Sequence, residues 1–164
     1  MKTLFIGGIK SGKSLRAEEF ARKHAHIRPI YLATTEFIDE EMALKIKAHK
    51  EQRGKHFITH EEPLHLYNAI SVCKDIVLVE CLSMWINNML YHGHSYEEML
   101  TEIQRVLSLK QDIVFVLNDV GSCVVPENKL AREFIDISGR LSQIIACECE
   151  SVFHTVAGIA RQIK

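Results

Sequence analysis

Residues 7–14 read Gly7-Gly8-Ile9-Lys10-Ser11-Gly12-Lys13-Ser14, and this stretch decides the fold of the chain. It has the pattern G-x-x-x-x-G-K-S, follows the apolar run Thr3–Ile6 and precedes a segment with helical character. In that context the backbone N–H groups of the loop, aimed by the helix N-terminus, bind the phosphates of a nucleotide. We expect Lys13 to reach the β- and γ-phosphates and the Ser14 hydroxyl to bind Mg²⁺. A chance match in an ordinary glycine-rich turn is the alternative, which the strand before and the helix after disfavour.

Composition narrows the class of protein. The chain has 164 residues, 25% of them charged, and a formal net charge of −1. This length predicts one domain, residues 1–164, and the charge balance gives no sign of a nucleic-acid or membrane-surface partner. No signal peptide and no run of about 20 apolar residues is present, so we expect a cytoplasmic protein. The five cysteines lack the spacing of a disulfide framework and are expected to be reduced thiols, several of them in the core.

Short β-branched runs alternate with longer helical stretches along the chain. The predicted strands are Thr3–Ile6, Pro29–Ala33, Asp75–Val79, Asp112–Leu117 and Ser151–Val156, with a further extended piece at Lys55–His60. The predicted helices are Ser14–His24, Asp39–Arg53, Leu64–Cys73, Leu82–His92, Tyr96–Ser108 and Asn128–Glu148. This alternation indicates βαβ units and a parallel sheet covered on both faces.

Polar residues follow several of the predicted strands directly. Thr34 ends the second, Glu80 the third, and Asn118-Asp119 the fourth. Ligands of open α/β sheets bind at the carboxyl ends of the strands, so we expect these residues near the phosphate-binding loop. In such a place Glu80 would hold the Mg²⁺ shell or its water. The alternative is an acid at a solvated strand end.

The predicted helix Asp39–Arg53 places Met42, Ile46, His49 and Arg53 on one face. A neutral imidazole at His49 can attack phosphorus, and the Arg53 guanidinium can hold phosphate oxygens. Spacing alone favours a capping or partly exposed histidine instead.

The segment Asn118–Asn128 is predicted to be a polar binding loop between a strand and a long helix. In that helix Arg132, Asp136 and Arg140 recur every four residues. We interpret them as a solvated face with ion pairs.

The order of these blocks along the whole chain resembles one family, the bifunctional adenosylcobinamide kinase / adenosylcobinamide-phosphate guanylyltransferases. The blocks are Gly7–Ser14, Tyr31–Thr34, Asp39–Arg53, Glu80–Asn88, Asn118–Gly121, Val125–Asn128, the helix positions Arg132, Phe134, Asp136, Gly139-Arg140 and Gln143, and Val156–Gly158. The resemblance implies an α/β fold of the P-loop (RecA-like) class, with three layers and a mostly parallel central sheet. It also implies a homo-oligomer, a trimer in this family.

The resemblance further implies two reactions and the residues that perform them. The first phosphorylates adenosylcobinamide with ATP or GTP, and the second transfers GMP from GTP, through a guanylyl-histidine, to give adenosylcobinamide-GDP. The family's block Arg-Ile-x-x-His-x-x-x-Arg corresponds here to Lys45–Arg53, so His49 is the expected nucleophile. Lys13 and Glu80 are the other expected catalytic residues, and Ser14 and Glu80 the Mg²⁺ ligands. The expected nucleotide-binding residues are Gly7, Gly8, Ile9, Lys10, Ser11, Gly12, Lys13, Ser14, Thr34, Lys50, Arg53, Glu61 and Glu80.

Two other functions are compatible with the loop. A monofunctional P-loop small-molecule kinase would use His49 and Arg53 only to bind substrate and would form no covalent intermediate. A nucleotide-dependent switch would hydrolyse slowly and bind a partner protein.

Overall fold

The structure is a computed structural model, and it describes residues 1–36, 54–122 and 124–164. The predicted helix Asp39–Arg53, with His49, Lys50 and Arg53, lies outside the described residues, as does Cys123. The strands are β1 Lys2–Gly7, β2 Ile30–Ala33, β3 Ile58–Glu61, β4 Val77–Glu80, β5 Ile113–Asn118, β6 Ser151–Val156 and β7 Ile159–Gln162. The α-helices are α1 Lys13–His24, α2 Leu66–Ser71, α3 Leu82–Tyr91, α4 Tyr96–Ser108 and α5 Lys129–Glu148, and a 3₁₀ turn spans Gly54–His56.

All seven strands join one sheet in the order β3-β2-β4-β5-β1-β6-β7. The first six run parallel, and only the β6–β7 pair is antiparallel. Strand β5 lies between β1, which leads into the phosphate-binding loop, and β4, which ends in Glu80. This order is the RecA-like variant of the P-loop fold, so the predicted α/β class is confirmed.

Two apolar cores lie on opposite faces of the sheet, because alternate residues of a strand point to opposite faces. One face packs Phe5, Leu78 and Val116 against Ala17 and Ala21 of α1. The other packs the alternate positions of the same strands against helices α2 to α5, and Trp85 is its largest fully buried side chain. Helices therefore cover both faces, which gives the three layers that the resemblance implied.

The predicted elements agree with the structure to within a few residues at most ends. The predicted helix Leu64–Cys73 is shorter, Leu66–Ser71, because the Glu62 carboxylate accepts hydrogen bonds from the N–H groups of Leu64 and His65 in a turn before it. The extended piece predicted at Lys55–His60 becomes β3, shifted to Ile58–Glu61. Strand β7 was not predicted.

Cysteines of the described residues are free thiols, as expected. Cys73 and Cys149 are buried, Cys81 is half-buried and Cys147 is exposed. Within the described residues, no helix is both long and apolar enough to cross a bilayer.

Candidate nucleotide-binding site

The loop between β1 and α1 has the geometry of a phosphate cradle. Gly12 takes the left-handed conformation, with φ of 93°, immediately before the first residue of α1. A side chain at Gly7 would overlap the carbonyl oxygen of Thr155 on the neighbouring strand β6. Glycine is therefore required at Gly7 by close backbone approach and at Gly12 by positive φ. Gly8, Ile9 and Lys10 are exposed at the tip of the loop.

Lys13 is the charged group of the loop. Its side chain is only 6% exposed, and its Nζ donates a hydrogen bond to the carbonyl oxygen of Gly8, 3.1 Å away. The ammonium therefore lies against the loop's own backbone. An ammonium group has three N–H donors, so Lys13 can donate to phosphate oxygens as well as to Gly8.

Ser14 and Glu80 meet although they come from different elements. The Ser14 hydroxyl donates to Glu80 Oε1 at 2.7 Å, joining the first turn of α1 to the end of β4. A hydroxyl and a carboxylate are hard oxygen donors, which Mg²⁺ prefers, and Mg²⁺ usually takes its remaining ligands from water and phosphate. The two side chains that the sequence predicted as metal ligands are thus adjacent and chemically suited to the ion.

Thr34 holds the backbone that follows Glu80. Its side chain is fully buried, and its hydroxyl donates to the carbonyl oxygen of Cys81 at 2.9 Å and accepts from the Cys81 N–H at 3.0 Å. The Thr34 N–H also donates to the carbonyl oxygen of Glu80 at 3.1 Å. Asn88 of α3, also fully buried, donates to the carbonyl oxygens of Thr34 and Pro63. These bonds fix the position of the strand end that carries Glu80.

Glu61 lies at the same edge, one strand further along. Ala33 of β2 pairs with Glu61 on one side and with Glu80 on the other. Because adjacent strands are about 4.8 Å apart, the two glutamates lie roughly 10 Å apart along the edge. Glu61 is exposed and Glu80 half-buried.

The segment after β5 is attached to the start of the phosphate-binding loop. Asn118 pairs with Gly7, and the Asp119 N–H donates to the carbonyl oxygen of Gly7 at 2.9 Å. The Asp119 carboxylate in turn accepts from the Gly121 N–H and from the Ser122 hydroxyl. The predicted polar loop therefore lies beside the cradle.

On α5, the face predicted to carry ion pairs has one weak pair, Asp136 with Arg140 at 3.9 Å. Arg132 instead donates to the carbonyl oxygens of Pro126 and Glu127, and Arg140 also lies over the Tyr96 ring at 3.7 Å.

Two features of this region escaped the sequence reasoning. One is a groove of about 610 Å³ between α3 and α5, whose walls include Leu90, Tyr91 and Phe134. The other is the role of Asn88, which lies in the block Glu80–Asn88 and whose signal in the sequence is an amide among the apolar residues of a helix.

The thiol of Cys81, the residue after Glu80, has low reactivity. Burial, and secondarily the charge of Glu80, raises the pKa of this thiol to about 11. It is therefore protonated near neutral pH and is a poor nucleophile. Among the described residues at this edge, the reactive groups are oxygen donors and the Lys13 ammonium.

Comparisons with known proteins give one family match and full-length relatives. The chain matches the family described as cobinamide kinase / cobinamide phosphate guanyltransferase over residues 3–163. It is 35% identical over 183 residues to the bifunctional adenosylcobalamin biosynthesis protein CobU of Escherichia coli, with both chains covered in full. It is also 35% identical over 170 residues to the corresponding protein CobP of Pseudomonas aeruginosa, covering 100% of this chain and 98% of that one.

A solved structure supports the fold alone. The flagellar accessory protein FlaH from Methanocaldococcus jannaschii aligns with a TM-score of 0.54 and 14% identity, covering 99% of this chain and 77% of that one.

Proposed function

The chain belongs to the cobinamide kinase / cobinamide phosphate guanyltransferase family, and on that premise we propose that it catalyses both reactions. It transfers the γ-phosphoryl group of ATP or GTP to the hydroxyl of adenosylcobinamide, and then transfers GMP from GTP to the new phosphate. The observation that carries the proposal is the Ser14–Glu80 contact beside Lys13, at the carboxyl ends of the strands, in a chain whose residues 3–163 match the family.

In the kinase step the loop Gly7–Ser14 binds the triphosphate through its N–H groups, and Lys13 neutralises charge on the β- and γ-phosphates. Ser14 and Glu80 would hold Mg²⁺, which would supply positive charge beside the transferred group and the leaving diphosphate. The protein contributes mainly by positioning the two substrates and by stabilising the charge of the transition state, because phosphoryl transfer needs little covalent chemistry from the enzyme. Thr34 and Asn88 support this step by holding the end of β4.

The second reaction proceeds in two displacements. A ring nitrogen of His49 attacks the α-phosphorus of GTP, the bond to the bridging oxygen breaks, and pyrophosphate leaves. A phosphate oxygen of adenosylcobinamide phosphate then attacks the same phosphorus and releases the imidazole, giving adenosylcobinamide-GDP. The attack requires the neutral form of the imidazole, since the lone pair of the ring nitrogen makes the new bond to phosphorus. Lys50, Arg53 and Glu61 complete the proposed nucleotide contacts, and Thr34, which is fully buried, acts through the strand end that carries Glu80.

Labelling with GTP carrying ³²P at the α-phosphorus tests the nucleophile. We expect acid-labile, base-stable label on the protein, lost in His49→Ala and retained in the matched control His26→Ala. His26 suits as control because it lies at the opposite edge of the sheet and its backbone N–H, not its ring, binds Asp75. Label that persists in a folded His49→Ala variant would exclude His49 as nucleophile.

The same labelling, run beside an assay for phosphorylation of adenosylcobinamide, distinguishes the monofunctional kinase. Such an enzyme would phosphorylate adenosylcobinamide without any covalent label, whereas a nucleotide switch would show neither label nor acceptor turnover. A chase of the labelled protein with adenosylcobinamide phosphate is expected to move the label to the corrinoid.

A cytoplasmic location and a homotrimer are the remaining parts of the proposal. The trimer is supported by the family resemblance alone, and the cytoplasmic location by the composition of the sequence. Sedimentation equilibrium on the full chain measures the oligomeric state, and a monomer would contradict the trimer.

A further inference from the structure

The turn between β6 and β7 lies directly against the phosphate-binding loop. Ala157 and Gly158 form it, with φ of 49° and 80°, between the paired residues Val156 and Ile159. Two positive φ values in a two-residue hairpin loop define a type I′ turn. Glycine at the second position adopts that conformation without strain.

Three contacts join this turn to the loop. The Gly158 N–H donates to the carbonyl oxygen of Ser11 at 2.7 Å. The carbonyl oxygen of Gly158 accepts from Arg16 Nε, in the first turn of α1, at 2.8 Å. The two backbones also touch, since a side chain on Gly12 would lie 2.9 Å from the Gly158 Cα.

The first contact fixes the orientation of one peptide group. The Ser11–Gly12 peptide is planar and trans, so its carbonyl and its N–H point in opposite directions. With the Ser11 carbonyl directed at Gly158, the Gly12 N–H is directed away from the hairpin turn, and in the proposed nucleotide complex it is one of the phosphate donors. If this peptide rotated by half a turn, a carbonyl oxygen would face the anionic phosphates in place of a donor.

From this geometry we propose that Gly158 is a positioning residue of the nucleotide site. Its backbone N–H holds the Ser11–Gly12 peptide in the phosphate-binding orientation, and Arg16 keeps the hairpin turn in place. The inference rests on the proposed nucleotide binding by Gly7–Ser14, and it adds a segment near the end of the chain to the set that determines phosphate affinity.

The surroundings of the Ser11–Gly12 peptide favour a positioning role for Gly158 over a role in packing alone. The loop has few other constraints on that peptide, because Ser11 Oγ, although buried, has no hydrogen-bond partner among the described residues. Within the loop, the Ser11 N–H donates to the carbonyl oxygen of Gly8 at 3.1 Å, which closes the loop's own turn on the other side of Ser11.

A single-atom change tests the proposal in the full chain. Cys147 allows ligation of a synthetic segment covering residues 147–164 to the rest of the protein without changing the sequence. An ester in place of the amide at Gly158 replaces the N–H that bonds to Ser11 with an oxygen that cannot donate, and leaves every side chain unchanged. The matched control carries the ester at Ile163, whose N–H bonds to the carbonyl oxygen of Val152 at 2.8 Å, far from the loop.

The measurement is the affinity for inorganic tripolyphosphate with Mg²⁺, which lacks base and ribose and so reports on the cradle. We expect the Gly158 ester to bind about tenfold more weakly than the all-amide chain, and the Ile163 ester within about twofold of it. Equal affinities in both ester chains, with binding intact in the all-amide chain, would overturn the positioning role alone. An all-amide chain that binds no tripolyphosphate would overturn the proposed nucleotide site itself.

A recombinant pair keeps the test decisive if the ester chain does not fold. Arg16→Ala removes the bond to Gly158, whereas Glu19→Ala removes only the exposed Arg16–Glu19 pair. We expect Arg16→Ala to weaken tripolyphosphate binding several-fold and to speed hydrogen exchange of the Gly158 amide, with Glu19→Ala unchanged in both. Weaker binding without faster exchange at Gly158 would show that Arg16 does not act through the hairpin and would overturn the proposal.

Discussion

The strands of the central sheet have buried charged groups at both of their ends, and these groups have different roles. We call the N-terminal ends of the strands the amino edge and the C-terminal ends the carboxyl edge. At the amino edge, Asp75 is 9% exposed and its carboxylate accepts four backbone N–H bonds, from His26, Ile27, Arg28 and Ile76. At the carboxyl edge, the equally buried Lys13 makes one hydrogen bond, to a carbonyl oxygen of its own loop.

The difference shows how a charge serves structure or chemistry. Burial alone would raise the pKa of Asp75, yet the four N–H donors hold it below its usual value, so the charge stabilises the chain around it. Lys2 at the same edge likewise donates hydrogen bonds from its ammonium to the carbonyl oxygens of Leu109 and Gln111. At the carboxyl edge, Lys13 and the Ser14–Glu80 pair keep coordination capacity for a ligand.

The largest expected effect comes from removing Lys13. In Lys13→Ala we expect phosphoryl transfer from ATP to adenosylcobinamide to fall about 1,000-fold, because the charge developing on the phosphates loses its cation. Lys2→Met, at the other edge, is the matched control and should leave turnover per folded molecule unchanged. A steady-state kinase assay with a circular-dichroism melt of each variant measures both. Comparable losses of turnover in the two variants would contradict a catalytic role that is specific to the carboxyl edge.

Removing the charge of Glu80 should lower the kinase activity less than removing Lys13. We expect Glu80→Gln, which keeps an acceptor for Ser14 but removes the charge, to lower activity about 10- to 100-fold and to raise the Mg²⁺ concentration needed for half-maximal rate. Glu61→Gln, two strands away on β3, should leave the Mg²⁺ requirement unchanged. Titration of the kinase rate with Mg²⁺ tests the pair, and an unshifted requirement in Glu80→Gln would remove it from the metal site.

Asp75 tests the structural edge. Asp75→Asn should lower the free energy of unfolding by about 2 kcal/mol at pH 7, because charge-assisted bonds to backbone N–H groups are lost, with activity per folded molecule retained. The folded pKa of Asp75 is lowered, so its stabilisation is full above the unfolded value near 3.9 and disappears as the pH falls through the folded pKa. Urea unfolding of both proteins across pH 2–7 should therefore show the difference shrinking with acid. A constant difference would contradict the charge-based explanation.

The smallest effect concerns thiol reactivity. Burial raises the pKa of Cys81 to about 11 and that of Cys149 to about 12. At pH 8 about one Cys81 thiol in 1,000 is then ionised, so exposed Cys147 should react with iodoacetamide well before either of them. Peptide mapping by mass spectrometry after brief labelling gives the order. Early modification of Cys81 would mean that the carboxyl edge opens more readily than its burial implies.

Much of the fold was readable from the sequence because its signals are local. The apolar runs of β1, β4 and β5 are continuous, as expected for strands buried on both faces, and helix α4 was predicted at its observed bounds, Tyr96–Ser108. Its Ser95–Glu98 capping box marks the start in the sequence itself. Strand β7 was missed because Ile159–Gln162 is short, largely exposed and without alternation strong enough to stand out.

The candidate site was predicted in part. The loop and Glu80 were found from their positions after apolar runs, and the structure brings Ser14 and Glu80 together. Thr34 and Asn88 illustrate what could not be read, since their hydrogen bonds depend on which backbone groups the packing places beside them. His49, Lys50 and Arg53 remain predictions, as they lie outside the described residues.

The sequence by itself determined the phosphate-binding loop, the alternation of strands and helices, and the family. These follow from backbone preferences and side-chain periodicity that act over a few residues. Only the tertiary structure decided that the Ser14 hydroxyl, 66 positions from Glu80 in the chain, lies 2.7 Å from its carboxylate. It also decided that Gly158 holds the peptide after Ser11, because the pairing of β6 with β1 brings a distant hairpin against the loop.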